Sequence, residues 1–92
     1  MARPYLVAYD LRAPGRKYTR LHEVLKAQNG WWHHLESVWI VLSDRSADEL
    51  FDLLRPHLDP NDRLFITALD PGKARQGWLP KDAWDWLDQH IG

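Results

Sequence analysis

Asp10 and the cations that follow it are the residues whose types and order best suit chemistry. Asp10 closes a mostly apolar run, Pro4-Tyr5-Leu6-Val7-Ala8-Tyr9, and leads directly into a basic, turn-rich stretch, Leu11-Arg12-Ala13-Pro14-Gly15-Arg16-Lys17. An acid at the end of a central strand, beside apolar Leu6 and Ala8, is expected to be partly desolvated, so a cation or a hydrogen-bonded partner must compensate it. A hard divalent ion such as Mg²⁺ often uses only one or two carboxylates and keeps several waters. One Asp per subunit therefore suffices if a twofold axis brings two copies together. The competing reading is local, with Asp10 capping the following loop or pairing with Arg12 or Arg16.

Arg12, Arg16, Lys17 and Arg20 form a local excess of positive charge. Such a cluster suits phosphate contacts to RNA or DNA, with Tyr18 available to stack on a base, and it equally suits a solvated loop. The stretch Trp31-Trp32-His33-His34 is the oddest in the chain. Adjacent histidines on a strand point to opposite faces, which makes them a poor bidentate metal pair. His22, His57 and His90 are scattered without ligand spacing, although one exposed histidine can act as an acid or base near neutral pH. Ser37 lacks the Gly-x-Ser-x-Gly elbow of a serine hydrolase, and no glycine-rich phosphate cradle is present. Asp82, Asp85 and Asp88 are spaced as the solvated face of a helix.

These residues must be positioned by a small scaffold. Ninety-two residues suffice for one compact domain, and residues 1–92 are read as such. Six tryptophans are an excess for this length and should close the core edge or an interface. There is no cysteine, which excludes disulfides and thiolate metal sites. A formal net charge of −1 argues against a general polyanion binder, so a nucleic-acid role requires a local patch. The N-terminus has no basic segment followed by an apolar core, and no apolar run is of spanning length. A cytoplasmic protein with no membrane partner is the default expectation.

Residues 4–10 read as a strand ended by the Pro14-Gly15 breaker. Tyr18, Leu21, Val24 and Leu25 recur at helical spacing up to about Gln28, with Asn29-Gly30 as the stop. Residues 31–43 read as a long, aromatic and β-branched strand. Ser46-Ala47-Asp48-Glu49 is a capping box. Behind it Ala47, Leu50, Phe51, Leu54 and Leu58 form a helical stripe that Pro56 should end near Arg55. Residues 63–69 read as another strand, and a short extended piece is expected over 74–79. Pro80 can serve as the first residue of a last helix, lined by Ala83, Trp84, Leu87 and Ile91. The expected order is β-α-β-β-α-β plus a terminal helix over 80–91, an α+β fold of ferredoxin-like type.

The strands carry apolar residues on both faces: Tyr5, Val7 and Tyr9 against Leu6 and Ala8; Trp39 and Val41 against Val38, Ile40 and Leu42; Leu64 and Ile66 against Phe65 and Leu69. A sheet half open to water should alternate apolar and polar residues. Two crossover helices cover one face only, so the terminal helix or a partner must cover the other. A homodimer packed sheet to sheet is expected.

Tyr5-Leu6-Val7-Ala8-Tyr9-Asp10-Leu11, the basic segment after it, and Gly30 leading to Ser37-Val38-Trp39-Ile40 resemble a known family. It is that of the small core subunit of the CRISPR spacer-acquisition complex, with toxin relatives of the virulence-associated protein D type. The resemblance covers residues 4 to about 69. The Trp31-Trp32-His33-His34-Leu35 stretch is similar to small bacterial proteins catalogued as SinR-like, although no helix-turn-helix is visible. The resemblance implies a ferredoxin-like homodimer in which two copies of Asp10 flank a shared cleft. In several members that cleft is held to bind Mg²⁺ and to hydrolyse RNA or DNA phosphodiesters; in the integrase complex the dimer is a scaffold. It further implies that Asp10 positions the metal, that Arg12, Arg16 and Arg20 hold phosphates, and that Ser37 lies near the cleft, with Lys17, His33 and His34 as neighbouring candidates. The chain departs from the family at Ile40, where a strand-two acid is expected. A toxin or regulator bound by a partner protein through the tryptophans is a third class.

Overall fold

Apolar residues on both faces of the strands demand cover on both sides of the sheet, and the fold supplies helices to each. The computed structural model describes residues 1–13 and 18–92. Its elements are β1 (Arg3–Asp10), α1 (Thr19–Lys26), β2 (Gly30–Leu35), β3 (Val38–Ser43), α2 (Ala47–Leu54), a 3-10 turn (Arg55–His57), β4 (Arg63–Ala68) and α3 (Lys81–His90). The four strands form one antiparallel sheet in the order β2-β3-β1-β4. This is an α+β fold, the class expected from the sequence.

Register sorts the side chains by face, because directly paired residues of antiparallel strands share a side. Val7 lies opposite Trp39 on one neighbour and Ile66 on the other. On this face Tyr5, Val7, Trp39 and Val41 meet Leu21 and Leu25 of α1 and Leu50 and Leu54 of α2, all buried. The opposite face holds a second, smaller core, where Trp32 and Ile40 pack under Ala83, Leu87 and Ile91 of the α3 region. The indole Nε1 of Trp32 donates to the Ala83 carbonyl at 3.2 Å, so this buried polar group is satisfied as the helix docks. Burying each large apolar side chain contributes about 1.5–3 kcal/mol, which makes both layers substantial for so short a chain.

The helix ends follow local chemistry. Ser46 accepts from the Glu49 amide at 3.2 Å while Glu49 accepts from the Ser46 amide at 3.0 Å, completing the expected capping box. Pro56 ends α2 by forcing the 3-10 turn rather than a kink. Pro80 lies one residue outside α3, at the N-cap rather than inside its first turn. Gly30 opens β2, where an added Cβ would come within 3.0 Å of the Leu42 side chain.

Two expectations are corrected. Residues 31–43 are not one strand: Glu36 and Ser37 form a tight connection between β2 and β3, with Leu35 paired to Val38. Residues 74–79 add no strand; Trp78 there is fully exposed, and the segment leads instead into α3. The second sheet face is covered in part within the chain, by α3 over β2 and β3. The β1–β4 half of that face stays open, and Phe65 is 64% exposed there.

Candidate functional site

The site is the rim where β1 ends and the β2–β3 connection turns. Asp10 is the last residue of β1 and pairs with Arg63 of β4, on the same face as the Ala8–Phe65 pair. Its side chain is 61% exposed, so the expected desolvation is not found; a strand end lets the carboxylate reach water. Compensation comes from Arg12, whose Nε and Nη2 lie 2.8 and 2.7 Å from Oδ2. Both contacts fall on one oxygen, Oδ2. The loop after Asp10 is anchored by Asp62, whose Oδ1 accepts from the Arg12 amide at 2.6 Å and from the Tyr18 hydroxyl at 2.9 Å. The hydroxyl of Tyr18 is thereby tied to this loop, and its partly buried ring packs against the larger core.

Two clefts meet at Asp10. One, of about 400 Å³, is mainly apolar and lined by Ala8, Tyr9, Asp10, Arg63, Leu64 and Phe65. The other, of about 260 Å³, is polar and lined by Tyr9, Asp10, Leu11, His22, Glu36 and Ser37.

A network of rings forms the wall of the polar cleft. Trp39 Nε1 donates to the Tyr9 hydroxyl at 2.9 Å. That hydroxyl donates to the Glu36 carbonyl at 3.3 Å and lies 3.3 Å from His22 Nε2. His33 stacks on Trp39 with centroids 3.8 Å apart, and its Nε2 is 3.0 Å from the same Glu36 carbonyl. Burial pushes the Tyr9 phenol above its ordinary range, against the opposing hydrogen bond from Trp39. Burial also lowers the His22 imidazole, reinforced by the charges of His33 and Lys26.

The fold brings Asp10 and Ser37 into one cleft. Ser37 sits in the turn, not within a strand, and its carbonyl accepts from the Tyr9 amide at 3.0 Å. His33 lies behind the cleft wall. His34 is directed to the opposite face, its ring 5.1 Å from that of Trp32, as alternation along a strand requires. Arg20 is exposed on α1, and Arg12 is engaged with Asp10. Arg16 and Lys17 lie outside the described residues. His22 is the cleft residue that sequence reasoning missed. Its signal was positional: it lies four residues after Tyr18 and three before Leu25, at the border of the apolar stripe of α1. Among the described residues, no three His, Asp or Glu side chains converge to hold a metal ion.

No family model matches the sequence, and no curated protein does. Among solved structures, the chain is similar to a hypothetical protein, TT1823, from Thermus thermophilus. The two share a TM-score of 0.61 and 27% identity, over 87% of this chain and 96% of that one. That protein being hypothetical, the likeness carries the architecture and no chemistry. No helix among the described residues is long and apolar enough to cross a membrane.

Proposed function

We propose that this chain acts as a homodimeric, metal-dependent nuclease on RNA or DNA phosphodiesters, with two copies of Asp10 flanking a shared cleft. The observation that carries the reading is the place of Asp10: at the end of a central strand, where two clefts meet, on the sheet face that α3 leaves open. A second copy packed on the open Ala8–Phe65 surface would set two carboxylates across one cleft. Asp10 is taken as the one hard oxygen donor of each copy: its side chain is 61% exposed, and Mg²⁺ binds through one or two carboxylates while retaining most of its waters. A bound Mg²⁺ supplies phosphate charge neutralisation and a water of lowered pKa. Arg12, beside Asp10, supplies a cation for the phosphates, and exposed Arg20 on α1 a second.

The deciding experiment is cleavage of end-labelled RNA and DNA by wild type and Asp10→Asn with Mg²⁺ or Mn²⁺, alongside sedimentation. A dimer whose cleavage disappears with Asp10→Asn is expected. Cleavage that survives the substitution removes Asp10 from the mechanism, and a strict monomer removes the shared cleft.

A second reading, a non-catalytic scaffold that binds nucleic acid or a partner protein, is favoured by the Asp10–Arg12 ion pair, which already occupies one carboxylate oxygen. It requires affinity without turnover. For a nucleic-acid partner, the salt dependence of binding should weaken when Arg12 is neutralised.

A further inference from the structure

We infer that His22 is the proton-transfer residue of the polar cleft, accepting a proton from the water that attacks the phosphodiester. This rests on the nuclease reading above. The argument begins with hydrogens around Tyr9. Its hydroxyl has one hydrogen and three neighbours: Trp39 Nε1, the Glu36 carbonyl and His22 Nε2. The indole can only donate and the carbonyl can only accept. Assigned to the Glu36 carbonyl, which His33 Nε2 also approaches at 3.0 Å, the single hydrogen leaves the hydroxyl oxygen to accept from both Trp39 and His22. His22 then carries its hydrogen on Nε2, and Nδ1 holds the lone pair.

In this arrangement Tyr9 does for His22 what an orienting acceptor does for a catalytic imidazole: it selects the tautomer and the ring plane. The oxygen is itself fixed, because Trp39 is buried and donates to it from β3. The groups facing His22 are Tyr9 on β1, Lys26 on its own helix and His33 on β2; Asp10 and Glu36 line the cleft it borders. Burial, reinforced by His33 and Lys26, lowers the pKa of the ring and so favours the neutral form that a base requires. Asp10 lines this cleft as well as the apolar one, so a phosphodiester drawn into the polar cleft would meet the carboxylate and the imidazole together.

The step balances as a hydrolysis. The water oxygen bonds to phosphorus, and one water proton passes to His22 Nδ1. The bond from phosphorus to the leaving nucleoside oxygen breaks, and that oxygen takes a proton from solvent. The imidazolium returns its proton to solvent.

The test has two arms. In the metal-free wild-type protein, ¹⁵N chemical shifts of His22 should report the Nε2–H tautomer; an Nδ1–H tautomer overturns the inference without recourse to any variant. In cleavage assays across pH with Mg²⁺, His22→Gln should lower kcat by about 10²- to 10⁴-fold and abolish the acidic limb of the profile, with circular dichroism unchanged. If Asp10→Asn is inactive while His22→Gln matches wild type at every pH, the inference falls and the nuclease reading stands. If wild type itself cleaves nothing with either Mg²⁺ or Mn²⁺, both fall.

Discussion

The indole nitrogen of Trp39 donates to the hydroxyl of Tyr9 at 2.9 Å, joining β3 to the end of β1 just before Asp10. Both rings lie on the face covered by α1 and α2, so the rim is braced from inside the larger core. Replacing Trp39 with Phe keeps a ring but removes the donor and leaves a void. The hydrogen bond is worth about 1 kcal/mol, and the lost packing adds to it. Urea unfolding should show a loss above 1 kcal/mol; a neutral result would mean that Tyr9 is held without Trp39.

The lowered pKa of His22 carries a sign. The folded state binds a proton less readily than the unfolded chain, whose histidine titrates near the ordinary value of 6.5. Its contribution to stability is complete above that value and declines as pH falls below it towards the folded pKa. Unfolding midpoints should therefore drop between pH 7 and pH 5, and His22→Gln should flatten this part of the curve. An unchanged slope in the variant would place the proton uptake elsewhere.

Ser46→Ala removes the side-chain half of the capping box on α2. Such caps are worth about 1 kcal/mol, with a range of roughly 0.5–2. Chemical denaturation should show that loss with an unchanged m-value, since no surface is newly buried or exposed.

Arg12→Ala frees Asp10 Oδ2. Exposed ion pairs contribute about 0–1 kcal/mol, so global stability should hardly move. Under the proposed function, Mg²⁺ titration by calorimetry should show tighter binding in this variant. Unchanged affinity would argue that Asp10 is not a ligand.

The parts of this fold with strong local punctuation were legible in the sequence. The Ser46 capping box, Pro56 and the Ala83-Leu87-Ile91 stripe each announce a helix end or face through chemistry within a few residues. The β2–β3 hairpin was hidden because Glu36-Ser37 lacks the glycine or asparagine that marks two-residue turns. The 74–79 segment has extended-looking residues, but no neighbouring strand pairs with it, and pairing cannot be read locally. Asp10 stood out in the sequence by its place after an apolar run, and Ser37 entered only through the family resemblance; His22 did not stand out, because its partners Tyr9, His33 and Trp39 come from three different strands.

The two cores share the sheet and little else. Trp32 and Ile40 under α3 lie on one side, and Val7 and Trp39 under α1 and α2 on the other. Layers divided in this way need not open together. Amides of α3 should exchange with solvent as a separate, earlier unit than those of β1 and β3. Each such opening would lengthen the bare surface already present at Phe65, so the area offered to a second copy is set by how often the last helix lifts.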